Sequence, residues 1–182
     1  MQPDAKAILL KVLESYSDAD KWVDSMFERI KRLSNTKVGD TGQDFVEHLC
    51  EEIGFECNFP ERPSGKGRQR QSPWDIRIEN VTFELKTATE DVSGSFQFNH
   101  IRYHREYEAL LCIGIGPNEI WFDAWSKAAV ATGEAGRLVS MEKGGSVSHK
   151  LTKQTGSLRP ITEFEDHIRH LVTTIAQHKQ IT

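Results

Sequence analysis

Asp75, Glu84 and Lys86 are the residues of this chain whose types and spacing could do chemistry together. Two alternating runs, 74–78 and 81–86, flank the pair Glu79-Asn80, which is the pattern of a β-hairpin closed by a two-residue loop. With that loop, Asp75 lies directly opposite Glu84 on one face of the ribbon, because side chains alternate along a strand with period two. Opposed carboxylates hold their Cβ atoms about 5 Å apart and repel, so the arrangement is unfavourable unless a cation or a proton lies between them. Lys86, two residues beyond Glu84, projects from the same side. Two carboxylates converging on a hard cation, with an ammonium beside them, suit hydrolysis of a phosphodiester. A divalent ion polarises the phosphate and acidifies water, while the lysine stabilises developing charge or orients the nucleophile. The plainer alternative is an amphipathic hairpin with a solvated charged face, since this spacing also arises by chance.

The surrounding elements must position these groups. Trp74, Ile76, Ile78, Val81, Phe83 and Leu85 form an apolar face expected in the core, and Pro73, Asp75, Arg77, Thr82, Glu84 and Lys86 form a polar one. Ahead of the hairpin, Ser17 or Asp18 caps an expected amphipathic helix with Trp22, Val23, Met26, Phe27, Ile30 and Leu33 at spacings of three and four. A second helix follows the glycines of Gly39-Asp40-Thr41-Gly42, with Phe45, Val46, Leu49 and Ile53 on one stripe and Gly54 closing it. Residues 55–59 read as a short strand and 60–73 as a basic loop. After the hairpin, 96–107 has a helical look, 109–115 suits a buried strand, and Gly116-Pro117-Asn118-Glu119 turns into a strand at 120–122. Residues 125–131 fit one or two helical turns, and 132–159 fit a loop with room for a ribbon. Thr162-Glu-Phe-Glu165 has the form of a capping box before a last helix through Ile168, Leu171, Val172 and Ile175. One domain is expected: a helical segment at 1–38, a catalytic core at 39–131, and a loop-rich segment with a helix at 132–182.

At 182 residues, 37% hydrophobic and 27% charged, the composition is that of a globular domain, against a disordered or repeat protein. No apolar run approaches the roughly 20 residues that span a bilayer. Residues 1–11 lack the charged start and long apolar stretch of a secretory signal, so a cytoplasmic location without a membrane partner is expected. The formal charge of -4 excludes a wholesale basic protein but leaves room for a local basic face. Cys50, Cys57 and Cys112 have no CxxC spacing, which suggests neither a disulfide framework nor a cysteine zinc site. His100 and His104 have helical i, i+4 spacing, but no third or fourth ligand completes a zinc site. No serine-triad spacing, phosphate-binding glycine loop or dinucleotide fingerprint supports acyl transfer, ATP hydrolysis or hydride transfer.

Glu84-Leu85-Lys86, preceded by Pro73-Trp74-Asp75 and by a helix opening with Gly39-x-x-Gly42, resembles the PD-(D/E)XK nuclease superfamily, most nearly its restriction-endonuclease-like members, over residues 39–125. The resemblance implies an α/β (α+β) fold with a central mixed sheet flanked by helices, and Mg²⁺-dependent cleavage of DNA, with Mn²⁺ as an alternative metal. It implies Asp75, Glu84 and the Leu85 backbone carbonyl as metal ligands, and Lys86 as the catalytic lysine. Where the family often has a glutamate after Gly-x-x-Gly, this chain has Gln43. Gln43 borders the apolar stripe and is favoured to reach the site, whereas Glu47, one turn on, is expected at the surface. Trp74 between Pro73 and Asp75 is a second departure, at a place where proline only shapes the strand entry.

Residues 93–103 look like the helix that follows the catalytic hairpin in this superfamily. On it and just after it, Gln97, Asn99, Arg102 and His104 suit phosphates or base edges; the alternative is a core of Phe96, Phe98, Ile101 and Tyr103 with merely solvated polar neighbours. Two basic loops, one with Arg68 and Arg70 and one with Lys150 and Lys153, are expected to lie along DNA. The implied partner is double-stranded DNA. One site cuts one strand, so double-strand cleavage implies a homodimer, sequential nicks or a larger specificity subunit. The implied activity is that of a type II restriction endonuclease or its catalytic subunit, with a repair nuclease or a noncatalytic DNA-binding module of the same fold as alternatives.

Overall fold

The computed structural model describes residues 5–14, 21–60, 72–141 and 148–181. In chain order these form helix α1 (Ala5–Glu14), a 3-10 turn (Glu28–Arg32), helix α2 (Asn35–Ile53), and strands β1 (Cys57–Asn58), β2 (Ile76–Ile78), β3 (Val81–Thr89), β4 (Ser95–Ile101), β5 (Ala109–Ile115) and β6 (Ile120–Ser126). Helix α3 (Lys127–Thr132), strands β7 (Val139–Ser140), β8 (His149–Gln154) and β9 (Arg159–Pro160), and helix α4 (Phe164–Ile181) follow. Six strands make a central sheet in the order β1-β2-β3-β5-β6-β9, with β3 and β5 parallel and the other neighbours antiparallel. This is the expected mixed sheet flanked by helices. A second sheet, β4-β8-β7, adds a layer: its β7–β8 ribbon falls within 132–159, where the sequence leaves room for one, but its pairing with β4 is not expected. Among the described residues no helix is long and apolar enough to cross a membrane.

Strand β5 is buried at every position because both its faces are covered. On one face Leu111 and Ile113 join Val46 and Cys50 of α2 and Phe164 and Ile168 of α4 in one core. On the other, Leu110 and Cys112 join Phe96, Phe98 and Leu151 of the small sheet and Val130 of α3. The segment after residue 131 is woven into both sheets, β8 pairing with β4 and β9 with β6.

The hairpin has the register its loop dictates. Ile76 pairs with Phe83, Arg77 with Thr82 and Ile78 with Val81, and Glu79 takes the left-handed conformation, φ 54°, that such a tight turn requires. Asp75 lies one step beyond the last pair, its backbone N–H donating to the Phe83 carbonyl at 2.9 Å.

Helix α2 starts earlier than its glycines suggest. Ser34 caps it, accepting from the Lys37 N–H at 3.4 Å, and Gly54 closes it at φ 79°. Gly39 and Gly42 therefore lie inside the helix. A Cβ on Gly42 would stand 1.8 Å from Thr87 Oγ1 and 2.7 Å from Thr87 Cβ, so glycine is what lets α2 lie against β3 beside Lys86. Gly42→Ala is expected to destabilise the protein by about 1–3 kcal/mol through overpacking. Denaturant unfolding measures the loss, and Thr87→Ala in the same chain recovers part of it.

Two expected helices are absent. Residues 21–33 form turns and the short 3-10 segment, with Val23 61% and Met26 73% exposed; Ser17 and Asp18 lie outside the described residues. The backbone here bonds elsewhere: the Phe27 N–H donates to the Pro117 carbonyl at 3.0 Å and the Met26 N–H to Asn118 Oδ1 at 2.9 Å, while Asp24 sits at φ 58°. Such long-range bonds and a left-handed residue break an i to i−4 ladder.

The second correction is β4, where the sequence reading has a helix. Phe96 and Phe98 turn inward and Gln97 and Asn99 outward. His100, at φ 58°, sits in a bulge between the Phe98 and Ile101 pairings with β8. The extra residue returns Ile101 to the buried face, so the 96, 98, 101 spacing imitates a helical period. The 100/104 histidine spacing accordingly places no pair on a helix face. Helix α4 begins at Phe164, after a 3-10 turn at Ile161–Glu163, rather than directly from a cap at Thr162.

Candidate active site

Strand β3 divides its residues by parity. Val81, Phe83 and Leu85 enter the core beneath α2 and α4, so Glu84 and Lys86 turn the other way, toward the layer that holds the small sheet. That layer covers the polar face of the hairpin, against the plainer alternative of a solvated one: Glu84 is fully buried, and the side chains of Lys86 and Asp75 are 14% and 17% exposed.

The charges interlock. Lys86 Nζ lies 2.7 Å from Glu84 Oε1 and 3.3 Å from Asp75 Oδ2, and the Leu85 N–H donates to that same Asp75 oxygen at 3.1 Å. The Arg102 N–H donates to Glu84 Oε1 at 3.4 Å. A residue the sequence reading missed completes the group: Arg105 places one guanidinium nitrogen 3.4 Å from Asp75 Oδ1 and 3.6 Å from Glu84 Oε2. The longer distance is beyond hydrogen bonding, and Glu84 Oε2 is buried without a hydrogen-bond partner. Burial foremost, then the Asp75 charge, raises the Glu84 carboxyl above its ordinary pKa, and Lys86 pulls it only partly back. For Lys86 burial pulls downward, but Asp75 and Glu84 outweigh it and hold the ammonium above its usual value. Lys86 is therefore charged throughout the neutral range.

Arg105 owes its place to a turn. Its N–H donates to the Arg102 carbonyl at 3.0 Å, and its own carbonyl accepts from Lys127 Nζ, which rests over the rings of Tyr103 and Tyr107 at 5.3 and 4.8 Å. Within His104-Arg105-Glu106 nothing periodic marks it. The only sequence signal is a cation shortly after the strand that follows the hairpin.

A cleft of about 890 Å³ opens beside this cluster, and Gln43, Asp75, Leu85, Lys86, Gln97, Asn99 and Arg102 all line it. Seven of the expected site residues, from four parts of the sequence, thus meet in one place. Glu84, buried behind Asp75 and Lys86, is not among the lining residues, and neither are Glu47 and His104. The described wall is mixed in charge, with Asp40, Asp44 and Asp91 alongside Lys31 and Arg102, rather than the positive rim expected. Arg68 and Arg70 lie outside the described residues. Of the other basic pair, Lys150 shares by alternation the outward face of Gln97 and Asn99. Lys153 pairs with Phe96 on the opposite face, donates to the Ala135 carbonyl at 3.1 Å, and lies 5.1 Å from the Trp125 ring centroid.

The arrangement is a pair of acidic side chains beside a cleft, Asp75 lining it and Glu84 buried next to Asp75; Glu84 Oε2 has no hydrogen bond, and Asp75 Oδ1 has a long one, 3.4 Å, from Arg105. That donor set fits a hard divalent cation, which takes carboxylate, carbonyl and water oxygens. Among the described residues no three His, Cys, Asp or Glu side chains converge as a metal cluster.

No family model and no curated protein matches the chain. Among solved structures, the chain is similar to a bacterial homing endonuclease, I-Ssp6803I, at a TM-score of 0.48 and 14% sequence identity, over 82% of this chain and 99% of that one.

Proposed function

We propose that the protein is a metal-dependent endodeoxyribonuclease of the PD-(D/E)XK kind, hydrolysing DNA phosphodiester bonds at Asp75, Glu84 and Lys86. One observation carries this reading: a fully buried glutamate, one oxygen of it without a hydrogen bond, stands with an aspartate and a lysine at an open cleft. Burying a carboxylate in that state is costly, and perturbed ionisable groups beside a cleft mark functional sites. Asp75, Glu84 and the Leu85 carbonyl would hold Mg²⁺, or Mn²⁺ in its place. A bound divalent ion supplies Lewis-acid charge at the phosphate and lowers the pKa of water.

The chain's own residues do the rest. Lys86, fixed between two carboxylates and fully protonated, presents N–H groups to the phosphate and counters the charge that develops on it. Gln43, on the neighbouring wall, orients the nucleophilic water through its amide. Gln97 and Asn99, two residues apart on the outward face of β4, offer amides to base edges, and Lys150 beside them offers charge to a phosphate; an antiparallel ribbon of this kind fits the major groove. A single site cuts one strand, which fits a restriction-type enzyme acting as a homodimer or as the cutting subunit beside a larger specificity protein.

Thermal unfolding with and without Mg²⁺ tests the reading. At a hundredfold excess over its dissociation constant a bound ion adds about 2.7 kcal/mol, so Mg²⁺ should raise the Tm of the wild type and leave Asp75→Asn unmoved. A wild-type Tm indifferent to both Mg²⁺ and Mn²⁺ contradicts the proposal.

A further inference from the structure

We infer that Arg105 is an exchangeable counter-cation, which neutralises Asp75 and Glu84 while no metal is bound and gives way when a divalent ion enters. This rests on the metal-dependent reading of the site. Asp75 and Glu84 are matched by Lys86 and Arg105, so the enclosed group is neutral as it stands. A divalent ion added to it leaves excess positive charge in a desolvated place unless one of the cations withdraws.

The contacts say which one. Lys86 is held at 2.7 Å from Glu84 and 3.3 Å from Asp75, whereas Arg105 stands at 3.4 and 3.6 Å. Arginine binds carboxylates most strongly through two parallel N–H bonds. Here a single guanidinium nitrogen reaches both acids and makes a hydrogen bond to only one of them. It also faces Asp75 Oδ1 and Glu84 Oε2, the two oxygens that Lys86 leaves unused. An ion taking those oxygens and the Arg105 guanidinium therefore claim the same ground.

The backbone of the turn is fastened independently, by Arg102 and by Lys127. Release is thus a change of side-chain rotamer rather than a refolding of the loop. The Arg105 side chain is 9% exposed, so its withdrawal starts from a side chain already in contact with solvent.

Titration calorimetry of Mg²⁺ binding near neutral pH, paired with thermal unfolding in EDTA, tests the inference on the wild type, Arg105→Met and Arg105→Lys. Removing a full positive charge from beside the ligands should tighten Mg²⁺ binding of Arg105→Met by about tenfold or more. The same variant should unfold at a lower temperature than wild type in EDTA and regain the difference in Mg²⁺. Arg105→Lys, which keeps the charge, should bind Mg²⁺ much as the wild type does. An unchanged or weaker affinity in Arg105→Met overturns the inference. So does an Arg105→Met protein that stays unfolded in saturating Mg²⁺, or an Arg105→Lys protein that tightens as much as Arg105→Met. A wild type that binds no divalent ion overturns the nuclease reading itself, and the inference with it.

Discussion

Glu84→Gln should slow plasmid cleavage by about a thousandfold or more and, at the same time, raise the thermal stability of the metal-free protein at neutral pH. The loss follows from removing a charged ligand, a change of several kcal/mol at the phosphate. The gain follows from what burial does to Glu84. Its carboxyl is held above the ordinary value of 4.5 by burial first and by Asp75 second, against the pull of Lys86. An acid whose pKa is raised on folding favours the fold in its protonated form. That contribution is complete below pH 4.5 and disappears as the pH climbs through the raised folded value. Glutamine supplies a neutral group of the same shape at every pH. Its advantage over wild type is therefore largest near neutrality and vanishes in acid, and unfolding in EDTA from about pH 4 to pH 8 measures it. A variant less stable than wild type at neutral pH shows that the ion pair with Lys86 outweighs the burial of the carboxylate.

Lys86→Ala should have the opposite effect on stability and a similar effect on cleavage. Taking one partner from a buried charge cluster leaves the other uncompensated, at about 3 kcal/mol, and the loss of transition-state charge stabilisation slows cleavage by about a hundredfold to a thousandfold. The Lys86 ammonium is held above its ordinary 10.5, so its contribution is complete below that pH and is lost only as the pH rises through the higher folded value. The stability deficit should accordingly be steady across the neutral range and shrink in acid, where Glu84 takes up a proton. Lys86→Met, which retains the packing of the stem, separates charge from packing. If denaturant unfolding finds it as stable as wild type, the cluster is not held together by Lys86.

What could be read from the sequence, and what could not, divides along one physical line. The register of the hairpin that carries Asp75 and Glu84 was legible because a two-residue loop and a period-two alternation are local, and together they leave one register; the observed pairs end at Ile76 and Phe83, with Asp75 one step beyond. The burial of β5 was legible because its apolar run lacks alternation. Placing Gln43 beside the site followed from a helical wheel, although the need for Gly42 came from a contact with Thr87 across two elements. The rest depends on pairings distant in the chain. Strand β4 meets β8 across about fifty residues, and it is this layer that covers the charged face on which Glu84 is buried. The bulge at His100 shifts parity within a single strand and so disguised it as a helix. The segment around Trp22 has a helical apolar spacing, yet its backbone bonds go to Pro117 and Asn118. Arg105 could not be singled out because only the turn after β4 carries it to the carboxylates.

The central claim, that Asp75, Glu84 and Lys86 form a metal-dependent phosphodiesterase, is tested most directly with supercoiled plasmid. The protein is incubated with plasmid at low salt in Mg²⁺ and in EDTA, with Lys86→Ala alongside in Mg²⁺. Nicked or linear DNA should form with the wild type in Mg²⁺ alone. Plasmid left intact by wild-type protein in Mg²⁺, or cut as well by Lys86→Ala or in EDTA, contradicts it.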